Sequence, residues 1–211
     1  MEDEQAKKLL DIASKHLRHN KEDYDGAVDL VSEFSKKNSI HPDYLLEQCY
    51  LCGSAGLYNL AYILAKTSAR LSSGDAKAIA HYNAGVAAAF MGRLEEAEAQ
   101  YTLALEIDPI NPTTHYNYGN LLKQMGRPEE TEEQYLLAME LDQRNPAIHS
   151  NYGILLAELG KWEEAEMQYK LALEADPENA DAHFNYGLLF LDRGMPEKAE
   201  KQYKLALAAN S

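Results

Sequence analysis

The chain has few of the residues that hold a fold together by covalent bridges. It contains 2 Cys in 211 residues, and Cys49 and Cys52 lie too close together to staple a chain of this size. It also has 7 Pro, 4 Phe and 1 Trp against 14 Tyr, which favours many similar helical segments. The fold is therefore predicted to be independent of disulfides, as suits a reducing cytoplasm.

Positive charge and long apolar runs are scarce as well. The 20 Lys and Arg face 34 Asp and Glu, and the resulting net charge of -14 would repel phosphate backbones and anionic lipid. No stretch approaches the ~20 apolar residues that span a bilayer, and the acidic start Met1 to Gln5 is unlike a secretory signal. We therefore expect a soluble, cytoplasmic protein with neither nucleic-acid nor membrane partners.

The sequence repeats itself with a period of 34 residues. Asn83, Asn117, Asn151 and Asn185 are spaced by this period, and each is followed two residues later by Gly. A fixed period of this length indicates stacked supersecondary units, each burying its apolar face against its neighbours. The four regular units are 78–111, 112–145, 146–179 and 180–211.

Each unit has the features of a helical hairpin. Position 15, counted from the first residue of the unit, is Gly in all four, and suits the left-handed turn that ends a first helix. Gly at position 8 and small residues at position 20 would let two helices approach closely. Pro128 and Pro196 suit the first turn of a second helix, and Asp108-Pro109 and Asp176-Pro177 suit its end.

These columns resemble the tetratricopeptide repeat, whose pattern has a large apolar residue at position 4, Gly or Ala at 8, Ala at 20, an aromatic at 24, Ala at 27 and often Pro at 32. The departures are His at position 4 in every unit, Thr131 at position 20, and Gln143 and Ser211 at position 32. The resemblance implies an all-α, right-handed superhelical solenoid that binds proteins and has no catalytic site.

Upstream of the regular units the same pattern is weaker. Gly56 to Ala61 resembles the turn of a hairpin at about 42–77, and Tyr24 to Ala27 lies between two amphipathic stretches at about 8–41. We therefore predict about six hairpins. Residues 1–77 form two divergent ones, which would serve as the atypical end that a solenoid needs.

One face of each first helix is predicted to be accessible. At 100° per residue, positions 2, 5, 6, 9, 12 and 13 share one side, here called the groove face, and positions 4, 7, 8 and 11 lie opposite, inside the hairpin. The resemblance makes the groove face the concave side that holds ligands. We expect it to bind an extended polypeptide through Asn83, Asn117, Asn151, Asn185, Tyr82, Tyr116, Phe184, Asn120, Lys123, Glu158 and Asp192.

The asparagine at position 6 carries most of this expectation. A carboxamide offers a donor and an acceptor, which are the partners that a passing peptide bond requires. The column resembles the asparagine ladder of the O-linked N-acetylglucosamine transferase repeat domain, which grips peptide backbones. The alternative is that each asparagine bonds to a neighbouring helix. Lys123 is the one basic residue on the regular groove face, so the Lys and Arg set of the carboxylate clamp in heat-shock co-chaperones is not assembled.

Metal and cofactor sites are not predicted. His81, His115, His149 and His183 are one unit apart, near a helix spacing of ~8–10 Å, whereas each ligand of a zinc ion must lie about 2 Å from it. We expect them to be packing residues with a bonded ring nitrogen. Cys49 and Cys52 lack the preceding strand of a redox motif and the second pair of a metal site, so buried structural thiols are expected.

Acidic residues cluster in the first turns of the second helices, where they interact favourably with the helix dipole. An acidic docking surface is the alternative. The cluster comprises Glu95, Glu96, Glu98, Glu129, Glu130, Glu132, Glu133, Glu163, Glu164 and Glu166.

The resulting hypothesis is a non-catalytic adaptor that assembles other proteins. One alternative is a scaffold that self-assembles through the carboxyl-terminal helix, whose outer side carries Leu205 and Leu207. Another is the regulatory part of a larger enzyme.

Overall fold

The computed structural model describes the backbone of residues 2–209 and the side chains from residue 4 to residue 209. Within these residues the chain forms twelve α-helices and no strand, which confirms the predicted all-α class. The helices are α1 (Glu2–His19), α2 (Tyr24–Lys37), α3 (Pro42–Ser54), α4 (Tyr58–Leu71), α5 (Gly74–Phe90), α6 (Leu94–Ile107), α7 (Pro112–Gln124), α8 (Pro128–Leu141), α9 (Pro146–Glu158), α10 (Trp162–Ala175), α11 (Ala180–Asp192) and α12 (Pro196–Ala209).

Consecutive helices pair into the six predicted hairpins, and these form two compact units that divide after Ile110. The first unit contains α1 to α6 and the second contains α7 to α12. Helix α5 begins at Gly74, four residues before the predicted start at 78, because Lys77 stands where α7, α9 and α11 have an Asn N-cap to begin the helix. The division of the chain at residue 77 into divergent and regular repeats stays a prediction.

The hairpin turns use glycine as predicted. Gly126 has a φ of 72°. This left-handed conformation lets the N–H of Arg127 donate to the carbonyl of Leu122 at 3.0 Å and so satisfies the end of α7. The corresponding glycines of the other regular hairpins also have positive φ, which confirms their assignment to the turns.

The starts of the first helices depend on a residue that sequence analysis passed over. Position 34 is Asn in three units, and its side-chain oxygen accepts a hydrogen bond from the first turn of the next helix. Asn111, for example, accepts from the N–H of Thr114 at 3.0 Å. The repeat boundary is therefore fixed by an N-cap followed, in two units, by Pro.

The close approach of the two helices in a hairpin rests on Gly at position 8 and Tyr at position 24. A Cβ built on Gly153 would lie 2.9 Å from Cε1 of Tyr169, and one on Gly119 would lie 2.7 Å from the ring of Tyr135. Both tyrosines are buried. The missing side chain therefore makes the space in which the ring packs.

Replacement of Gly153 by Ala should therefore destabilise the protein by about 1–3 kcal/mol, because the new methyl group overlaps the Tyr169 ring. Gly53 is the matched control: it is also inside a helix, but a Cβ there would meet nothing within 4 Å. Gly53→Ala should be neutral or stabilise by up to about 1 kcal/mol. Urea unfolding measures both, and equal effects would refute the packing argument.

Candidate functional site

The two faces predicted for the first helices are present in the second unit. Along α7, α9 and α11 the residues at positions 4, 8 and 11 are buried inside the hairpins, whereas the groove face is mostly half-buried or exposed. Ser150, at position 5 of its unit, is the exception, because it is buried. The asparagines at position 6 are all half-buried, so their carboxamides lie at the edge of the groove face.

A hydrogen-bonded network joins α7 to α9 on this face. The Nδ2 of Asn151 donates to the hydroxyl of Tyr116 at 2.6 Å and to Oδ1 of Asn120 at 3.1 Å. The same Oδ1 accepts from the hydroxyl of Tyr135 at 2.6 Å. Two buried or half-buried tyrosines thus fix the position and orientation of two carboxamides from successive repeats.

The network uses only half of each carboxamide. Both N–H groups of Asn151 are engaged, and Oδ1 of Asn120 has two donors. Among the described residues, Oδ1 of Asn151 and Nδ2 of Asn120 have no hydrogen-bond partner. The oxygen of a carboxamide can accept two hydrogen bonds, and its NH₂ group can donate two. An acceptor and a donor are therefore left side by side on the groove face.

The other position-6 asparagines are arranged differently. Asn117 donates to the carbonyl of Thr113 in its own helix at 3.0 Å. Asn185 has no hydrogen bond within the described part of the chain, because the preceding repeat offers Ser150 and Ile154 where Asn151 meets Tyr116 and Asn120. Asn83 likewise has none. Position 6 is thus Asn in every regular unit, but the contacts of this Asn differ from unit to unit. Asn151 bonds to the neighbouring helix, which was the alternative to ligand binding.

The charged and aromatic residues predicted for the groove face differ in their exposure and contacts. Lys123 and Glu158 form an ion pair across α7 and α9 with Nζ and Oε1 3.0 Å apart, so these two charges largely compensate. Phe184 is 51% exposed, and its ring lies 5.6 Å from that of Tyr203. Asp192 is exposed and has no ion pair in the described residues. The face therefore changes from polar on α7 and α9 to apolar and acidic on α11.

In the first unit the groove face is more aromatic. Tyr82 is half-buried with its ring 6.2 Å from that of Tyr101, and burial raises the pKa of Tyr82. Phe90 is exposed and stacks on Tyr58 at 4.6 Å. Tyr50, on α3, is exposed too. This face offers rings rather than paired carboxamides.

The histidines at position 4 pack as expected. In every regular unit the ring Nδ1 lies 2.7–3.0 Å from Oε1 of the glutamine at position 23, on the second helix of the same hairpin. Nε2 of His149 also lies 3.0 Å from the carbonyl of Gln143. The prediction of packing residues with a bonded nitrogen is confirmed. The pairs are His81–Gln100, His115–Gln134, His149–Gln168 and His183–Gln202.

The two cysteines are buried and not bridged, as predicted. Burial raises the pKa of the Cys49 thiol to about 12, so it stays protonated and inert at neutral pH. Within the part of the chain that the structure describes, no three His, Cys, Asp or Glu side chains are grouped to hold a metal ion. None of the described helices is long and apolar enough to cross a bilayer.

Two glutamates connect successive repeats, which sequence analysis missed. Glu132 accepts from the hydroxyl of Tyr152 at 2.8 Å and from Nζ of Lys161 at 3.1 Å. Glu166 accepts from the hydroxyl of Tyr186 at 3.1 Å and is also paired with Arg193. The signal was available in the sequence as Glu at position 21 and Tyr at position 7 of the following unit. The helix-dipole interpretation of these glutamates is therefore incomplete.

The hairpins define a class: a helical-repeat protein of paired antiparallel helices. Family models identify it. Tetratricopeptide-repeat models match residues 153–211, 112–145 and 78–101, and a TPR repeat model matches 91–126. The chain belongs to the tetratricopeptide-repeat family. A search of curated proteins gives no significant match.

Solved structures with the same fold include YrrB, described as a TPR protein with an unusual peptide-binding site. It is 24% identical, the match covers 84% of this chain and 90% of YrrB, and the TM-score is 0.63. A MamA structure from Desulfovibrio magneticus RS-1 is 16% identical over 80% of this chain and 94% of MamA, with a TM-score of 0.69. Another MamA structure is 15% identical over 77% and 94%, with a TM-score of 0.66. These likenesses show the fold.

The contacts of Glu166 predict a pH-dependent contribution to stability. Its pKa is lowered from 4.5, first by the hydrogen bond from Lys170 and then by that from Tyr186. A lowered folded-state pKa means that the contribution is complete above pH 4.5 and is lost as the pH falls through the folded value. Glu166→Gln should cost about 1 kcal/mol at pH 7, since the site is partly exposed, and the difference from wild type should shrink at acidic pH.

Urea unfolding of both proteins at neutral and at acidic pH measures this difference. Glu174→Gln is the control, because Glu174 has no ion pair among the described residues and should show little effect at either pH. A difference at Glu166 that is independent of pH would refute the assignment.

Proposed function

We propose that this protein is a non-catalytic interaction scaffold whose groove face holds an extended segment of another polypeptide. The observation that carries the proposal is the unused donor of Asn120 beside the unused acceptor of Asn151. An extended chain presents one N–H and one C=O per residue, and both need partners when they leave water. Nδ2 of Asn120 would donate to a carbonyl of the ligand, and Oδ1 of Asn151 would accept from an N–H.

Pre-organisation supports this role. Tyr116 and Tyr135 already fix the two carboxamides in the free protein, at 2.6 Å each. A ligand would therefore not have to order these side chains, and ordering is a substantial part of the cost of binding. A pair of unconstrained surface asparagines would lack this advantage.

The neighbouring helix supplies contacts for side chains. Helix α11 is the first helix of the next repeat, so its groove face should lie ~8–10 Å from that of α9, or about three residues along an extended chain. Phe184 and Leu188 are exposed there, and Asp181 and Asp192 are exposed at either end of the same helix. The preferred ligand therefore has an apolar residue about three positions from the bonded peptide group and a basic residue nearby. The description of YrrB as peptide-binding is consistent with this assignment.

The most selective test of the proposal is Asn120→Asp. This change keeps the oxygen that accepts from Tyr135 and Asn151 but replaces the unused donor by an acceptor. The probe is a peptide selected on the wild-type chain from a displayed random library. Its affinity should fall by about tenfold, and the melting temperature should change little. Asn151→Asp is the complement, since it removes two internal donors and should lower the melting temperature.

A second arm tests whether the ligand backbone is read. N-methylation of the peptide, one amide at a time, should weaken binding strongly at one or two positions, whereas replacing side chains by Ala should matter mainly at the apolar and basic residues. Equal affinity of wild type and Asn120→Asp, or a methylation scan without a sensitive position, would contradict the proposal.

A second candidate function is self-association through the last hairpin. Phe184, Leu188 and Leu191 form an exposed apolar stripe on α11, and exposed lysines on α12, including Lys198 and Lys201, could meet the acidic ends of α11 in a second copy. Such a pairing would be isologous, with α11 of each copy against α12 of the other. In this alternative a second copy of the chain, in place of the extended ligand, covers the stripe.

Leu188→Glu should reduce any dimer to monomer, because it places a carboxylate in the apolar stripe. Sedimentation equilibrium of both proteins over a wide concentration range measures this. Leu205→Glu on α12 provides the comparison, because the sequence predicts this exposed residue as part of the self-association surface. A wild-type protein that stays monomeric at every concentration would remove this candidate.

A further inference from the structure

The tyrosine at position 24 of the third regular unit, Tyr169, has a hydroxyl without a partner. The residue is only 2% exposed, yet its hydroxyl makes no hydrogen bond within the part of the chain that the structure describes. In the preceding unit the equivalent hydroxyl of Tyr135 donates to Oδ1 of Asn120 at 2.6 Å. The residue that corresponds to Asn120 is Ile154, which offers no acceptor. A polar group left unpaired in a buried residue calls for a partner from outside the chain.

Two contacts fix the position of this hydroxyl. A Cβ built on Gly153 would lie 2.9 Å from Cε1 and 3.1 Å from Cζ of Tyr169, at the end of the ring that carries the hydroxyl. The ring also stacks on Tyr186 of the next repeat, with centroids 5.7 Å apart. Burial raises the pKa of Tyr169, and the negative charges of Glu158 and Asp192 raise it further. The hydroxyl is therefore held between α9 and α11, within electrostatic reach of two carboxylates.

The two carboxylates lie at helix ends. Glu158 is the last residue of α9 and Asp192 is the last residue of α11, both at position 13 of their units. The negative end of a helix dipole attracts cations and repels carboxylates, so neither residue is favoured by its own helix. Oε1 of Glu158 lies 3.0 Å from Nζ of Lys123, whereas Asp192 has no ion pair among the described residues. Because the adjacent Arg193 pairs with two glutamates of α10, one negative charge and two helix ends remain for an external cation.

Apolar side chains border the carboxylates. Ile154 and Leu188 are at position 9, one helical turn before position 13, and Leu188 is 39% exposed. The methylene stem of a long basic side chain packs well on such a surface while its charged end stays polar. The combination occurs once among the regular units, because position 13 is Phe90 and Gln124 in the first two.

The distance between the helices favours arginine over lysine. First helices of adjacent repeats lie ~8–10 Å apart, so a cation that serves both carboxylates must donate on two opposite sides. A guanidinium is planar and directs five N–H donors in a rigid fork, whereas an ammonium is a compact point charge. With N–H···O distances of about 2.9 Å on each side, a guanidinium can bridge Glu158 and Asp192, and the oxygen of Tyr169 can accept a third bond.

We propose that Tyr169, Glu158 and Asp192 form an arginine pocket on the groove face. The guanidinium donates to the carboxylate of Asp192, to Oε2 of Glu158 and to the hydroxyl of Tyr169. The arginine lies about two to four residues along the ligand from the peptide group held by Asn120 and Asn151, because adjacent helices are ~8–10 Å apart and an extended chain advances ~3.3 Å per residue. The inference rests on the function proposed for the groove face and identifies the basic residue of the ligand.

The first arm of the test uses the full chain and peptides selected on it from a displayed random library. Peptides that lose affinity for Asn120→Asp bind through the groove face, and these should share an arginine at one position. Replacing that arginine by lysine, or by citrulline, which keeps the shape but lacks the charge, should weaken binding to wild type by about tenfold or more. Fluorescence anisotropy measures each affinity.

Point variants locate the arginine. Asp192→Asn should weaken an arginine peptide by about tenfold and reduce its advantage over the lysine peptide. Asp181→Asn is the matched control, because it removes the same charge from the other end of α11, and it should have little effect. Tyr169→Phe should weaken binding several-fold while the melting temperature holds or rises, since no internal hydrogen bond is lost. Tyr135→Phe breaks the bond to Asn120 and should instead lower the melting temperature.

A second arm tests the pocket without a groove peptide. N-acetylarginine amide is titrated into isotopically labelled wild type and Asn120→Asp, and the backbone amide signals of Leu188 and Asp192 are followed by NMR. Both proteins should show saturable shifts. Asp192→Asn should remove the shift of Leu188, and N-acetyllysine amide should bind wild type at least several-fold more weakly.

The pocket is overturned if N-acetylarginine amide gives no saturable shift or binds no better than the lysine compound. It is also overturned if the groove peptides share no arginine, or if Asp181→Asn weakens them as much as Asp192→Asn. Failure of the groove function has a different signature: no selected peptide would distinguish wild type from Asn120→Asp, while N-acetylarginine amide would still shift the signals of Leu188.

Discussion

The contact between a glycine on the first helix of a hairpin and a tyrosine on the second is the constraint on which the rest of the structure depends. At Gly119 there is no room for a Cβ, because the ring of Tyr135 would lie 2.7 Å from it. This contact sets the distance between the helices. At that distance His115 reaches Gln134, and the groove face of α7 turns away from the hairpin.

The same tyrosine connects the core to the candidate site. Its ring is buried against Gly119, while its hydroxyl extends to Oδ1 of Asn120. Asn120 in turn accepts from Asn151 of the next repeat. The orientation of a surface carboxamide is thus determined by packing within one hairpin and by the stacking of two. Position 9 is Asn in this unit alone, since it is Val86, Ile154 and Leu188 elsewhere, so the arrangement is local rather than a continuous ladder.

The sequence alone predicted the structural features that are determined within a single hairpin. The positions of the turns, the buried and accessible faces of the first helices and the packing of the histidines follow from a 34-residue period and a helical angle of 100°. Apart from the recurring Glu at position 21 and Tyr at position 7 of the next unit, contacts between repeats could not be read in this way. The pairing of Lys123 with Glu158, and of Asn151 with Tyr116, depends on the offset between stacked helices, which the period of the sequence does not contain. The columns that repeat specify the fold, and the residues that depart from them carry the proposed functions.

A double-mutant cycle between Tyr135→Phe and Asn120→Asp, read out as peptide affinity, tests the link between core packing and binding most directly. If the Tyr135 hydroxyl acts by orienting Asn120, Tyr135→Phe should weaken binding several-fold in the wild-type background and have much less effect once Asn120 is Asp, with a coupling energy of about 0.5 kcal/mol or more. Strictly additive effects on affinity would contradict the account, because they would mean that the buried tyrosine and the surface asparagine influence the ligand independently.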